Sequence, residues 1–232
     1  MKLKYEGKTK DVYELADGNI LFKLKDDATG TDGKFDPGAN EVALQIKGLG
    51  KQSLRMSKYF FEKIEAAGIP TQFVDCDIDQ VTMTVKPVEM FGNALGEGIE
   101  LVCRYRAVGS FVRRYGGFIN EGAPLDALVE VMIKDDKRGD PPITKDILIE
   151  LGIMSADEYE ELKNLTKKIS GIIRDEFAHK GLELYDIKLE FGRYKGEIIL
   201  IDEISGGTVR VYKDGVCLEP MEISPLILGV DK

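Results

Sequence analysis

The sequence contains a single histidine, His179, and no tryptophan. One imidazole cannot build a multi-histidine zinc site, and it leaves no evident Ser-His or Cys-His nucleophile pair. Any catalysis has to run on carboxylates, lysine, arginine, a hydroxyl or a bound metal. Cysteine is scarce as well. Cys76, Cys103 and Cys217 are odd in number, far apart and without paired metal-ligand spacing, which suits reduced thiols in a cytoplasmic protein. No apolar run approaches the ~20 residues of a membrane-spanning helix. The amino end, Met1-Lys2-Leu3-Lys4-Tyr5-Glu6, has no apolar stretch behind its charges and does not read as a secretory signal. Positive charge is in deficit too: 32 Lys and Arg against 41 Asp and Glu give −9 with the histidine neutral. That balance argues against a general nucleic-acid or anionic-membrane binder, since both rely on clustered cations. It leaves room for a local basic pocket that holds a small anion.

With 232 residues, 43% hydrophobic and 31% charged, the chain has a globular composition and enough length for one domain or two small lobes around a cleft. Its beginning reads as β-structure. Asp11-Val12-Tyr13-Glu14-Leu15 alternates apolar and polar, Ala16-Asp17-Gly18-Asn19 is a turn, and Ile20-Leu21-Phe22-Lys23-Leu24 is a second strand. Residues 26–40 carry so many Asp, Gly, Pro and Asn residues that a long irregular loop is expected. A helix is expected over 52–67, with Tyr59, Phe60 and Ile64 on its apolar face and Gly68 and Pro70 ending it. Strands follow at 72–76 and 80–86, and Pro87 with the glycine-rich stretch Gly92 to Gly98 marks a hinge. Residues 100–106 read as a strand, after which Gly109-Ser110 opens a short helix. The clearest helix covers 156–180, with Ser155 and Glu158 as a capping box and Gly181 at its end. A hairpin comes next: strand 182–191, turn 192–196, strand 197–202. The coarse reading is α+β, with a β-rich amino lobe over 1–86 and a mixed α/β lobe over 87–232.

The most informative segment is Tyr185-Asp186-Ile187-Lys188-Leu189-Glu190-Phe191. Strand alternation puts Asp186, Lys188 and Glu190 on one face and Ile187, Leu189 and Phe191 on the other. Its partner, Ile198-Ile199-Leu200-Ile201, is wholly apolar and ends in Asp202-Glu203. Carboxylates at the end of a buried strand, near a lysine, suit a Mg2+ ion that carries nucleotide phosphates; the alternative is an edge strand with a solvated charged face. Symmetric pairing about Tyr194 would put Asp202 opposite Asp186. At ~3.3 Å per residue it would leave Glu190 more than ~10 Å away, so a shared cation needs a bend, a bulge or another register.

Gly7-Lys8-Thr9-Lys10 lies between two strands. It is not a P-loop, because Lys2 stands where that motif needs glycine and no helix follows. A glycine turn flanked by two lysines could instead fold over a triphosphate, or the lysines could simply be solvated. Arg104 and Arg106 alternate onto one strand face, and Gly109-Ser110 then begins a helix that carries Arg113 and Arg114. Arginines beside free helix amides make an anion pocket suited to a phosphomonoester; the competing reading is a surface basic patch. Arg210, beyond the Gly206-Gly207 turn, could reach the same anion. Lys134, Asp135, Asp136 and Asp140 flank a turn and read as solvated. His179, near the end of a helix, reads as a dipole partner.

Together these segments resemble the phosphoribosylaminoimidazole-succinocarboxamide synthase (SAICAR synthetase) family. The resemblance runs in order to about residue 212. It comprises Tyr5-Glu6-Gly7-Lys8-Thr9-Lys10-Asp11-Val12-Tyr13, Ala67-Gly68-Ile69-Pro70-Thr71 and Arg104-Tyr105-Arg106-Ala107-Val108-Gly109-Ser110, then Asp186-Ile187-Lys188-Leu189-Glu190-Phe191-Gly192 and Asp202-Glu203-Ile204-Ser205. It implies a two-lobed α+β fold with a kinase-like or ATP-grasp-like nucleotide cleft, the amino lobe covering the nucleotide and the carboxyl lobe binding substrate and metal. The implied reaction joins L-aspartate to the carboxylate of carboxyaminoimidazole ribonucleotide (CAIR) with ATP and Mg2+ as cofactors, in purine biosynthesis. Small molecules would be the only other partners of a cytoplasmic homodimer.

By the same resemblance Lys8 and Lys10 would hold ATP phosphates, Val12 would cover the base, and Lys86 and Val88 would bond adenine through their backbone. Glu190 and Asp202 would hold Mg2+, with Lys188 between nucleotide and acceptor carboxylate. Arg104, Ser110 and Arg210 would bind the CAIR phosphate, and Lys134, Asp140 and Asp186 would complete the substrate site. The inventory suits this chemistry, because phosphoryl transfer asks for positioning and charge neutralisation more than for a protein nucleophile. Two departures stand out: the family usually has Pro-Asp where this chain has Gly206-Gly207, and the longer helical tail of bacterial members is replaced by the short apolar segment Pro220 to Val230. Alternatives are a related ATP-dependent carboxylate ligase or phosphotransferase with another acceptor, and a non-catalytic nucleotide-binding protein.

Overall fold

In chain order the computed structural model, which describes residues 1–36, 38, 41–92 and 98–229, begins with β1 (Lys2–Glu6), β2 (Lys10–Glu14), β3 (Ile20–Leu24), β4 (Asp27–Thr31), β5 (Lys34–Phe35) and β6 (Val42–Gln45). It continues with α1 (Leu49–Ala66), β7 (Phe73–Asp77), β8 (Thr82–Val85), β9 (Glu89–Met90), β10 (Ile99–Arg106), α2 (Ser110–Tyr115) and β11 (Pro124–Ile133). The remainder is α3 (Lys145–Glu150), α4 (Ala156–His179), β12 (Glu183–Tyr194), β13 (Glu197–Ile201), β14 (Val209–Lys213), β15 (Val216–Cys217) and α5 (Pro220–Leu228). The α+β reading holds. Among the described residues no helix is long and apolar enough to cross a membrane.

Contacts divide the chain into two units, one of Met1–Glu89, Gly192–Thr208 and Glu219–Lys232, the other of Met90–Phe191 and Val209–Leu218. The composition places a single boundary after residue 86, with everything beyond it in the second lobe. The contacts instead return 192–208 and 219–232, with Asp202 among them, to the first unit.

In the first unit an antiparallel sheet runs in the order β1-β2-β3-β8-β7. Helix α1 packs on β3 and β7; its Leu54, Phe60, Phe61 and Ile64 are fully buried, and Phe61 stacks on Phe73 of β7. Residues 26–40 are not the irregular loop expected from their composition. Asp27–Thr31 and Lys34–Phe35 form β4 and β5, which join β6 in a small sheet; residues 37, 39 and 40 lie outside the described residues. Turn-rich composition misled because Gly30 and Thr31 pair with Phe35 and Lys34 around the tight turn Asp32-Gly33, whose residues both have positive φ.

Helix α1 also starts three residues before the expected Gln52. The reason is remote in sequence: the Asp26 carboxylate accepts from the amides of Gly48 (2.9 Å) and Gly50 (3.0 Å) and so caps the helix start. Asp26→Ala should lower the unfolding free energy by about 1–2 kcal/mol, measurable by chemical denaturation. An unchanged midpoint would mean that water satisfies these amides equally well.

The apolar tail forms α5, whose Ile223 and Ile227 are buried and which packs on α1; Val230 lies outside the described residues. This packing accounts for one family departure. A Cβ on Gly206 would lie 2.7 Å from Pro220 Cα, so the start of α5 occupies the space that a side chain at 206 would need.

In the second unit the sheet runs β11-β10-β12-β14-β15, each neighbour antiparallel, and α4 packs on β10 and β11. Helix α4 has the expected capping box, Ser155 Oγ accepting from Glu158 N and Glu158 Oε2 from Ser155 N. The glycine-rich stretch is bridged at its ends, Gly92 with Gly98, while 93–97 lie outside the described residues.

The hairpin after α4 differs from expectation. Its turn is the two residues Lys195-Gly196, both at positive φ (53° and 87°), as a tight type I′ connection requires. The centre of symmetry therefore moves away from Tyr194, and the separation of Glu190 from Asp202 inferred from that centre does not apply. Asp186 does not face Asp202: its register partners are Arg104 on β10 and Arg210 on β14.

Candidate active site

Within the first unit, Gly7 and Lys10 close a turn between β1 and β2, the Gly7 amide donating to the Lys10 carbonyl at 3.0 Å. A Cβ on Gly7 would meet that oxygen at 2.6 Å, so only glycine permits the turn. Lys25 props it from below. Its ammonium donates to Gly7 O (2.9 Å) and lies 2.6 Å from Asp11 Oδ1. The bond to Asp11 raises the Lys25 pKa above its ordinary value despite opposing desolvation, so the prop stays charged. Lys8 lies in the turn, and Val12 follows on β2, paired with Tyr5 and Phe22.

Lys10 reaches away from this turn to the segment after β13. Its ammonium pairs with Asp202 Oδ1 and lies 3.2 Å from Glu203 Oε2. Asp202 has φ 69°, a left-handed conformation uncommon outside glycine and most tolerated by Asp and Asn. Two buried side chains hold the backbone there. Gln72 Nε2 donates to Asp202 O at 2.8 Å, and Ser57 Oγ donates to Ile204 O and accepts from Ile204 N. Such over-determined strain is a common mark of functional positions.

The expected adenine contacts sit just after β8. The Lys86 amide donates to Gln72 O at 2.8 Å, so a backbone bond from Lys86 to a base falls to its carbonyl. Its ammonium donates to Thr71 O. Val88 approaches Gly192 so closely that a Cβ there would lie 3.0 Å from the valine.

In the second unit a charged row crosses the sheet: Arg104 on β10, Asp186 on β12 and Arg210 on β14 are register neighbours. Asp186 Oδ2 accepts from Arg104 Nη1 (2.7 Å) and from Arg210 Nη1 (2.8 Å). Arg104, only 1% exposed, also donates from Nε to Glu130 Oε2 (2.7 Å) and from Nη2 to Ser110 Oγ (3.0 Å). Glu130 in turn accepts from Arg114 Nη2. This is no surface basic patch. Burying a guanidinium is tolerable only because two carboxylates and a hydroxyl meet it on three edges. Gly109 matters beyond opening α2: at φ 58° and ψ −130°, a Cβ there would lie 2.7 Å from Arg210 Nη2. Arg106 does not join the row. A register shift separates it from Arg104, and it pairs with Glu183.

Further along β12 the charged face is buried, with Glu190 4% exposed, which removes the solvated-edge alternative. Lys134 Nζ donates to Glu190 Oε1 at 2.5 Å, and Lys188 Nζ lies 3.2 Å from Glu100 Oε2. Lys134 is therefore not the solvated loop lysine that its neighbours suggested. Asp140 closes its own loop, accepting from the Asp135 amide at 2.7 Å. Among the described residues, no group of three or more His, Cys, Asp and Glu forms a metal cage. The donors present are single or paired carboxylates, the oxygen set that Mg2+ takes when substrate phosphates and water complete its shell. Glu203, Glu130, Glu100 and Gln72 were not singled out from sequence. Only Glu203 carried a local signal, as the second acid ending an apolar strand.

Comparison with known proteins covers the whole arrangement. The SAICAR synthetase family pattern matches residues 3–218. The chain is 57% identical over 230 residues to phosphoribosylaminoimidazole-succinocarboxamide synthase of Clostridium tetani, covering 98% of this chain and 100% of that one. Among solved structures, a SAICAR synthetase in complex with ADP superposes with a TM-score of 0.85 at 30% identity, covering 98% of each chain. The Pyrococcus horikoshii SAICAR synthetase superposes with a TM-score of 0.82 at 29% identity, covering 96% of this chain and 99% of that one.

Proposed function

Because the chain belongs to the SAICAR synthetase family, we propose that it joins L-aspartate to the carboxylate of CAIR at the expense of ATP, giving SAICAR, ADP and phosphate in purine biosynthesis. The observation that carries this reading is the near full-length identity combined with a buried, fully partnered charged face on β12.

A carboxylate is a poor acyl donor. In the proposed reaction a CAIR carboxylate oxygen attacks the γ-phosphorus, and the bond to the bridging oxygen of ADP breaks. The aspartate nitrogen then attacks the acyl carbon, the carbon–oxygen bond to phosphate breaks, and the nitrogen loses a proton. These steps need aligned reactants and neutralised charge rather than a protein nucleophile. Lys8 and Lys10 would take the ATP phosphates, Val12 would cover the base, and Lys86 and Val88 would offer their backbone to adenine. Lys188, its ammonium held by Glu100, would neutralise the acceptor carboxylate. Arg104, Ser110 and Arg210 would take the ribotide phosphate, with Asp186 holding the two arginines and Lys134 and Asp140 serving the aspartate side. Glu190 and Asp202 are assigned to Mg2+, which supplies charge neutralisation on the phosphates when bound.

The proposal extends to a homodimer in the cytoplasm. Phe118, 94% exposed, is apolar surface that a second copy would cover, and the three cysteines are free thiols. At −9 net charge it includes no nucleic-acid or membrane partner. The experiment is a phosphate-release assay with ATP, Mg2+, aspartate and CAIR, each omitted in turn. Release is expected only when all four are present. Release without CAIR would assign another acceptor, and no release would remove the ligase reading.

A further inference from the structure

We propose that Glu130, on β11, is a positioning residue for the ribotide phosphate. It locks the Arg104 guanidinium in its binding orientation and tethers Arg114 beside it. The inference rests on the reading that Arg104, Ser110 and Arg210 take that phosphate, and it concerns a residue to which that reading gives no role.

The geometry is specific. Glu130 Oε2 accepts from Arg104 Nε at 2.7 Å, while Oε1 accepts from Arg114 Nη2 at 2.6 Å. Arg104 has five N–H groups in a planar fork, and three are engaged, by Glu130, Asp186 and Ser110. The other two are oriented by these partners. Asp186 and Ser110 hold the Nη ends; Glu130 alone holds Nε and so prevents the plane from swinging about its stem. Arg114 depends on Glu130 still more. Its Nε is buried without a hydrogen-bond partner; its guanidinium lies 5.3 Å from the Tyr115 ring centre, and the bond to Glu130 supplies its directional charged contact. The side chain of Glu130 is itself 12% exposed, so water competes weakly for it.

Simple charge counting predicts the opposite of this role. Glu130 adds a negative charge beside a site for a dianion, and its removal should then favour the anion. Positioning predicts that its removal weakens the anion, because two arginines lose their alignment. The two accounts differ in sign.

The experiment is steady-state kinetics of the full-length enzyme with CAIR varied at saturating ATP and aspartate. Glu130→Gln keeps the shape but replaces one acceptor by an N–H₂ group that faces a guanidinium. The CAIR KM should rise about 10- to 100-fold, the worth of one charge-assisted hydrogen bond. The KM for ATP and the kcat at saturating CAIR should stay within about threefold, well below the worth of such a bond. Glu130→Asp retains the charge but shortens the reach by one methylene. Its CAIR KM should also rise, whereas a role through charge alone leaves it at the wild-type value. The aspartate variant decides by itself should the glutamine variant not fold. An unchanged or lowered CAIR KM in both variants, or an equal rise in the KM for ATP, overturns the role of Glu130. Arg104→Lys measured in parallel separates the two layers. An unchanged CAIR KM there sinks the phosphate assignment, while a raised one beside normal Glu130 variants sinks only the present inference.

Discussion

Asp202→Asn is expected to abolish Mg2+-dependent turnover, on the order of 10³-fold or more in kcat, while the protein stays folded. The magnitude follows from losing a charged ligand to a cation worth several kcal/mol of charge stabilisation, at 1.36 kcal/mol per factor of ten. The retention of the fold follows from local geometry. Asparagine tolerates the left-handed φ of 69° almost as well as aspartate. Gln72 bonds the backbone oxygen at this position, not the side chain, and Lys10 keeps Glu203 as a partner at 3.2 Å. A thermal melt within a few degrees of wild type, together with lost turnover, is the expected pair of results. Turnover at the wild-type rate would remove Asp202 from the metal assignment.

Arg104→Ala should have the largest effect on the molecule as a whole. From sequence this arginine reads as a phosphate ligand whose loss raises the constant for the ribotide. The structure adds a folding role. Truncation takes one of two arginine partners from each of two carboxylates: Asp186 (3% exposed) keeps only Arg210, and Glu130 keeps only Arg114. Breaking a buried ion pair from one side costs up to about 3–5 kcal/mol where no partner remains, and losing one of two partners at both carboxylates still removes a sizeable part of the total stability of an ordinary domain. Denaturant unfolding should show that loss, and the CAIR KM of whatever folds should rise. A wild-type midpoint would mean that the carboxylates relax to water. A selective loss of ATP affinity would show that the phosphate assignment is wrong.

Periodicity and punctuation made much of the fold readable in advance. The strand Ile20–Leu24, the capped helix after Ser155 and the short helix after Gly109-Ser110 all stand as expected, because their signals are local: alternation, a capping box, a glycine break. Readings failed where distant residues intervened. Helix α1 begins early because Asp26, more than twenty residues upstream, caps it. The Asp and Gly residues of 26–40 looked like loop because a two-residue turn uses the same residue types as a long one. The hairpin register was misjudged because Gly192-Arg193-Tyr194 has turn composition but continues a strand.

The order of motifs, from Gly7-Lys8-Thr9-Lys10 to Asp202-Glu203-Ile204-Ser205, was enough by itself to identify the family and to single out its candidate groups, since residue type and spacing are properties of the chain alone. Partnership among those groups was a tertiary matter. Arg104, Glu130, Asp186 and Arg210 come from four strands as much as 106 residues apart in the sequence, and strand adjacency is set by how the sheet assembles rather than by any local pattern. Burial then turns that adjacency into chemistry: in water these charges would be screened and independent, whereas inside the sheet each must find a counter-charge, and so they form one connected device.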